Sequence, residues 1–245
     1  MKPSQRVALI TGASRGLGRE IARLFAQHGM SLIVTARGAE ALQDTADELG
    51  ALTEVLALPG DVADRAHAER LVRLGLERFG RIDVLINNAS AIGPSPMPTL
   101  ETYPLDALAE VFRVNTLAPL HLIQLVLPGM RERGEGLIVN VTSDAAVQPY
   151  PTWGGYGASK AALEHLSRVL AAELEGSGVR VYVVDPGDMN TQMHREAEPG
   201  VDLSYLPGPE VSAPAFVHLV EAEATPFGRL EAQKLAPAAG SKRGT

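Results

Sequence analysis

Two residues four positions apart on a helix share a face, so Tyr156 and Lys160, flanking Gly157-Ala158-Ser159, would present a phenol and an ammonium together. A free phenol titrates near pH ~10, too high for easy proton exchange at neutrality. An ammonium at ~4 Å, with an effective dielectric of ~20, contributes roughly 4 kcal/mol to the ionised phenol. That corresponds to about three units of pKa lowering at most, because desolvation works against the phenolate. The expectation is a tyrosine tuned for general acid–base catalysis. A hydroxyl to steady the reacting oxygen is available at the end of Val139-Asn140-Val141-Thr142-Ser143. Strand alternation favours Ser143 over Thr142.

A second constellation suits an anionic ligand. Thr11-Gly12-Ala13-Ser14-Arg15-Gly16-Leu17-Gly18 lies between an apolar run at 7–11 and a helical pattern at 16–28. A diphosphate needs backbone N–H donors and close approach, both easiest where Cβ is missing. Gly12 can form the tight turn, and Gly16 lets the backbone near the phosphates at the positive helix end. Gly18 lets the helix pack closely. The strand–turn–helix context that such a motif requires is present.

The elements that must position these groups alternate along the chain. Short β-rich runs are expected at 7–11, 31–36, 53–58, 84–87, 137–141 and 179–184, and helices at 16–28, 40–49, 63–79 and 156–175, with a helix-rich stretch at 103–130. Runs apolar on both faces indicate parallel strands covered by helices on each side. The predicted fold class is therefore α/β, a doubly wound Rossmann-type parallel sheet of about seven strands in a single domain over 1–236. Residues 190–209 hold prolines and glycines with little periodicity and read as a surface excursion and substrate lid. Residues 237–245 read as a flexible tail.

Bulk properties narrow the function further. The 245 residues carry 22 Lys and Arg against 29 Asp and Glu, a formal charge of −7, which argues against a nucleic-acid partner. Cysteine is absent, excluding disulfides, thiolate nucleophiles and Cys-ligated zinc. No uninterrupted apolar run approaches the ~18–20 residues that cross a bilayer. The expectation is a cytoplasmic protein with no membrane partner and no metal, the six histidines (28, 67, 121, 165, 194, 218) having no ligand spacing. His194, in the expected lid, is the one histidine kept as a substrate contact.

The second strand ends in Ala36-Arg37-Gly38, without the carboxylate that would hold a ribose 2′-hydroxyl. Arg37 there, with Arg15 in the glycine turn, suits a 2′-phosphate instead. NADP(H) is therefore expected in preference to NAD(H).

Over residues 7 to about 191 the chain resembles the short single-domain branch of the short-chain dehydrogenase/reductase family, in its Gly-x-x-x-Gly-x-Gly turn and in Tyr156-x-x-x-Lys160 thirteen residues after Ser143. The resemblance implies hydride transfer between NADP(H) and a carbonyl or alcohol substrate, with Tyr156 as general acid/base and Ser143 orienting the oxygen. It gives Lys160 a hydrogen bond to the nicotinamide ribose and Asn115 a water in a proton relay. It makes Asp61 and Val62 the adenine contacts, with Asp61 accepting from the amino group, and Asn88 and Ala89 the turn ending the fourth strand. Pro186, Gly187 and Thr191 would contact the carboxamide. Ser90 stands where that turn carries glycine, adding a side chain where the backbone approaches the cofactor. A homodimer or homotetramer is expected, built on the long helices, since Phe227-Gly228-Arg229-Leu230-Glu231-Ala232 departs from the family's Asp-Gly-Gly strand.

Rival readings are weaker. A non-catalytic dinucleotide sensor would keep the glycines but need not keep Asn115, Ser143, Tyr156 and Lys160 together. Enoyl reductases of the wider family carry their tyrosine three positions earlier, where this chain has Trp153. Substrate identity falls to segments 92–98, 144–155 and 189–206, where Ile92, Trp153, Met189 and Met193 suggest an apolar pocket and Asp144 and Gln148 either bind a polar group or cap a turn.

Overall fold

The computed structural model describes residues 6–221 and 227–235. In β1 (Val7–Thr11), Ala8 and Ile10 pack into one apolar cluster while Val7 and Leu9 pack into another. This period-two split means that both faces are covered, which is why the strand reads as an unbroken apolar run. The same division recurs in β2 (Ser31–Thr35), where Leu32 and Val34 join the first cluster and Ile33 the second.

With β3 (Val55–Ala57), β4 (Val84–Asn87), β5 (Gly136–Val141), β6 (Val179–Asp185) and β7 (Phe227–Glu231), these form one seven-stranded sheet in the order β3-β2-β1-β4-β5-β6-β7. Every adjacent pair is parallel. On one face, α1 (Gly16–Gln27) contributes Ile21 and Phe25, α2 (Ala39–Gly50) Leu42 and Leu49, and α8 (Pro214–Glu221) Phe216 and Leu219. On the other, α3 (Arg65–Phe79) contributes Leu71, α5 (Ala118–Arg133) Leu122 and Val126, and α6 (Gly154–Glu173) Ala171. Each fully buried Leu, Ile or Phe contributes about 1.5–3 kcal/mol, so both helix layers hold the sheet.

Chain order reverses at β1: β2 and β3 lie to one side, β4 to β7 to the other. Connections leaving β1 and β4 in opposite directions open a crevice at the carboxyl ends of the strands. The register brings Asn87 opposite Asn140, Val141 opposite Val184 and Asp185 opposite Glu231, so these ends are level and their loops converge.

Helix α4 (Leu105–Phe112) continues through a π-helical turn, Arg113–Leu117, into α5. The combined stretch Leu105–Arg133 is long and apolar enough to cross a membrane by composition, with mean hydropathy 1.2, but half of that window is buried inside the protein. It is a core helix of the fold.

The excursion expected at 190–209 contains a helix, α7 (Gln192–Ala197), that the sequence pattern does not reveal. Six residues are too few for a period to be read. The helix is held instead by Thr191, whose Oγ1 accepts from the His194 N–H at 3.3 Å, and by burial of Ala197 against Ile92 and Met97. The short seventh strand at 227–231 is present, followed by α9 (Ala232–Leu235). The expected tail at 237–245 lies outside the described residues.

Candidate active site

The glycine turn is built against the end of β4. Thr11 Oγ1 accepts from the backbone N–H groups of Asn88 and Ala89, both at 3.0 Å. Asn88 Nδ2 donates to the carbonyls of Thr11 (2.9 Å) and Gly12 (3.2 Å). The Asn88 side chain therefore faces the turn and fixes its shape. Gly12 takes a left-handed φ of 67° and Gly16 one of 55°. A Cβ at Gly18 would collide with the Gly12 carbonyl oxygen and stand 2.5 Å from Asn88 Nδ2. Close packing at Gly18 is thus against the turn itself and Asn88, just past β4. At Gly16 a Cβ would meet only the Thr191 methyl at 3.9 Å.

Helix α1 starts at this turn with Arg15 as N-cap, no side-chain capping bond and no acidic residue in its first turn. The N–H groups at a helix start lack partners within the helix, and its dipole end is positive. An anionic diphosphate fits this cradle, formed by the backbone of Ser14, Arg15, Gly16 and Leu17. The Arg15 guanidinium donates to Gln192 Oε1 on α7, so it links the turn to the segment above it. Arg37, exposed beyond β2, adds a small share to the ionised form of Glu110, which is held mainly by its hydrogen bonds from Arg113. No carboxylate follows β2 before Glu40. Beyond β3, Asp61 Oδ1 accepts from the Ala63 N–H at 2.8 Å and Oδ2 pairs with Arg113 at 3.3 Å, beside buried Val62. These bonds hold the loop after β3, and they occupy part of the acceptor capacity that the expected adenine amino group would need.

The catalytic candidates meet where β4, β5 and α6 converge. Lys160 is only 2% exposed and donates from Nζ to the Val141 carbonyl at 2.8 Å, with Nζ 5.6 Å from the centre of the Tyr156 ring. Burial pulls the Lys160 ammonium down to about 7 and pushes the Tyr156 phenol up to about 12. The expected lowering of the phenol by the lysine is not seen. Lys160 spends its hydrogen bond on the last peptide of β5, and dehydration of both groups outweighs their attraction. The nearby Ser90 and Ser143 hydroxyls act in the opposite direction on the phenol, while Asp185 and Asp144 raise it further.

Ser143 follows β5 and caps a short 3₁₀ turn, Asp144–Ala146. Its Oγ accepts from the Ala145 N–H at 3.1 Å and donates to Asp144 Oδ1 at 2.9 Å. Tyr150 donates to the other oxygen of Asp144 at 2.6 Å. Thr142 points inward to Glu164 Oε1 at 2.8 Å, which leaves Ser143, rather than Thr142, near the phenol.

Asn115 sits fully buried in the π-helical turn. Its Nδ2 donates to the Ala91 carbonyl (2.8 Å) and Ser159 Oγ (2.9 Å), while its Oδ1 accepts from the Ala91 N–H (2.8 Å) and Ser90 Oγ (3.0 Å). Two donors and two acceptor sites are all a carboxamide has. The side chain thus has nothing left for the expected relay water.

After β6, Pro186-Gly187 turns back over the site. Gly187 has a φ of 73° and its N–H donates to Asp185 Oδ1 at 2.9 Å, while the Pro186 carbonyl accepts from buried Ser212 at 2.6 Å. Thr191 caps α7 directly above Gly16. An apolar wall flanks the phenol: Ile92, Met97, Ala145 and Ala197 with Trp153 and Met193, the Trp153 ring edge-on to Tyr156 at 5.8 Å. Met189, half-buried, packs against the apolar cluster on one sheet face. His194 bonds to the Met189 carbonyl at 3.2 Å, lies 3.4 Å from Glu198 and meets the Trp153 ring edge-on at 6.4 Å.

Two features escaped sequence reasoning. One is the hydrogen bond from Ser90 to Asn115, 25 positions away, for which the only signal was a serine in place of glycine. The other is Glu164, 3% exposed, which accepts from Thr142 and Arg229 and so ties α6 to β7; a glutamate among apolar neighbours on a helix gives no sign of a partner 65 residues away.

Comparison with known proteins agrees with this geometry. The short chain dehydrogenase family matches residues 6–202. A rhamnolipids biosynthesis 3-oxoacyl-[acyl-carrier-protein] reductase of Pseudomonas aeruginosa is 37% identical over 195 residues, covering 78% of this chain and 75% of the reductase. An alcohol dehydrogenase from the archaeon Thermococcus sibiricus, solved with 5-hydroxy-NADP, superposes with a TM-score of 0.81 at 31% identity, covering 93% of this chain and 95% of that one. A 7α-hydroxysteroid dehydrogenase solved with NADH and 7-oxo glycochenodeoxycholic acid gives 0.83 at 29% identity, covering 93% of each chain.

Proposed function

The chain belongs to the short-chain dehydrogenase family, and we propose that it is an NADP(H)-dependent oxidoreductase interconverting a carbonyl and a secondary alcohol, with Tyr156 as general acid/base. The observation that carries this reading is the convergence of Ser143, Tyr156 and Lys160 beside the uncapped start of α1, with Asn115 behind them. Bound nicotinamide would supply the hydride or accept it. The backbone at Ser14–Leu17 would hold its diphosphate, and Arg37 with Arg15 a 2′-phosphate. Pro186, Gly187 and Thr191 would hold the carboxamide. Tyr156, protonated at neutral pH, gives its proton to the substrate oxygen in reduction. Ser143 orients that oxygen. Lys160 and the apolar wall of Ile92, Trp153 and Met193 keep the reacting atoms in place and water out.

Tight binding of NADPH in preference to NADH, followed by fluorescence, together with turnover on a carbonyl panel that falls about 10²–10⁴-fold in Tyr156→Phe, is the expected outcome. Absence of binding by either nucleotide would sink the reading. Binding without turnover that depends on Tyr156 would make the protein a dinucleotide sensor.

A further inference from the structure

A serine hydroxyl has one proton to give and two lone pairs to accept with, and the turn after β5 decides how Ser143 spends them. The Ala145 N–H can only donate, so its bond of 3.1 Å occupies one lone pair of Ser143 Oγ. The Asp144 carboxylate can only accept, so its bond of 2.9 Å takes the Ser143 proton. Tyr150 donates to the other Asp144 oxygen at 2.6 Å and holds the carboxylate in place. Arg229 reaches the same turn through the backbone carbonyl of Ser143, at 3.4 Å. Ser143 Oγ therefore keeps one lone pair and no free proton. The turn is packed on the start of α6: Ala145 shares the apolar cluster of Tyr156, and a Cβ at Gly157 would stand 2.5 Å from the Ala145 carbonyl oxygen.

We infer that Asp144 is a positioning residue: it makes Ser143 an acceptor towards the substrate oxygen, so that the site binds an alcohol in preference to the corresponding carbonyl. The inference rests on the oxidoreductase reading of Ser143 and Tyr156. A secondary alcohol brings its own proton. It donates to Ser143 Oγ and accepts from the Tyr156 hydroxyl, and each polar atom is satisfied. A carbonyl oxygen can only accept. Tyr156 donates to it, but at Ser143 it meets a lone pair unless the serine lets go of Asp144. The bond to Asp144 is charge-assisted and roughly twice as strong as the neutral bond that a carbonyl offers in exchange, so the serine stays with the aspartate. Ser143 and Asp144 are both half-buried, and water offsets part of the difference. The discrimination is therefore set at about five- to tenfold, the share of one neutral hydrogen bond. Without the carboxylate, Ser143 is free to donate and the carbonyl gains a second donor.

Cyclohexanone with the NADP⁺ complex and cyclohexanol with the NADPH complex are unreactive pairs, so their dissociation constants are read without turnover. The reporter is the emission of Trp153, the chain's single tryptophan, which stands edge-on to Tyr156 at 5.8 Å. Asp144→Ala is expected to lower the ketone-to-alcohol ratio of dissociation constants about five- to tenfold. Tyr150→Phe, which loosens the same turn but leaves the Ser143–Asp144 bond, is expected to keep the ratio within about twofold. In a Ser143→Ala background the effect of Asp144→Ala is expected to vanish, because the aspartate acts through the serine. A ratio unchanged in Asp144→Ala, or lowered equally in the Ser143→Ala background, overturns the proposal. Neutron diffraction from deuterated crystals decides the matter with no ligand at all: a Ser143 deuteron aimed at Asp144 Oδ1 is expected, and one aimed into the pocket overturns it. Probes that bind with the expected ratios and are never turned over by the wild type would defeat the oxidoreductase reading and leave the action of Asp144 on Ser143 standing.

Discussion

Lys160 Nζ and the carbonyl oxygen of Val141 lie 2.8 Å apart, so the final peptide of β5 holds the buried ammonium at the site. The lysine's folded-state pKa of about 7 sits below its ordinary 10.5. Between these values the unfolded chain binds more protons than the folded one, so stability rises with pH across that window and is lost as pH falls towards 7. Lys160→Met, which removes the titrating group, is expected to be more stable than wild type at pH 7 and to lose that advantage as pH approaches 10.5. Urea denaturation across the window checks it; a constant difference between the two proteins would contradict the buried-lysine assignment.

Gly18 and Gly50 make a matched pair. A Cβ at Gly18 meets the Gly12 carbonyl and Asn88, whereas one at Gly50, at the end of α2, meets nothing within 4 Å. Gly18→Ala is expected to reduce NADPH affinity by at least tenfold through distortion of the turn, at a cost of about 1–3 kcal/mol in stability. Gly50→Ala is expected to stabilise by up to about 1 kcal/mol with affinity unchanged. Isothermal titration and thermal melts on both variants separate crowding at the turn from a general glycine effect.

Arg229 donates to Glu164 at 3.1 Å and lies 3.5 Å from Asp185, bridging β7 to α6 and β6. Glu164 keeps only Thr142 and, at 3.4 Å, the half-exposed Arg168 when Arg229 is removed. Arg229→Met is therefore expected to cost about 3–5 kcal/mol, because a buried carboxylate is left poorly compensated. Adding Glu164→Gln should recover much of the loss. A double-mutant cycle by denaturant unfolding measures the coupling; additive losses would show that the pair is not an interacting unit.

Arg37 stands where a carboxylate would select the ribose 2′-hydroxyl. Arg37→Ala should weaken NADPH binding about tenfold or more and leave NADH binding within about twofold, since a charge-assisted bond to a phosphate contributes ~1.5–3 kcal/mol. Equal losses for both nucleotides would place Arg37 elsewhere than at the 2′-phosphate.

What was legible in the sequence is what short range determines. Residues four apart on a helix must share a face, so Tyr156 and Lys160 could be paired by counting. Alternate residues of a doubly covered strand must both be apolar, so Val7-Ala8-Leu9-Ile10 announced a parallel sheet before its order was known. The glycine turn was equally readable, because a left-handed φ at Gly12 and Gly16 is a local demand. Protonation and hydrogen-bond partners were decided by the tertiary structure alone. Counting could not show that Lys160 bonds to Val141, that Asn88 faces the glycine turn, or that Asn115 exhausts its carboxamide on Ala91, Ser90 and Ser159. Those outcomes depend on β1, β4 and β5 lying side by side, which brings together side chains dozens of residues apart and excludes the water that would otherwise compete for their bonds.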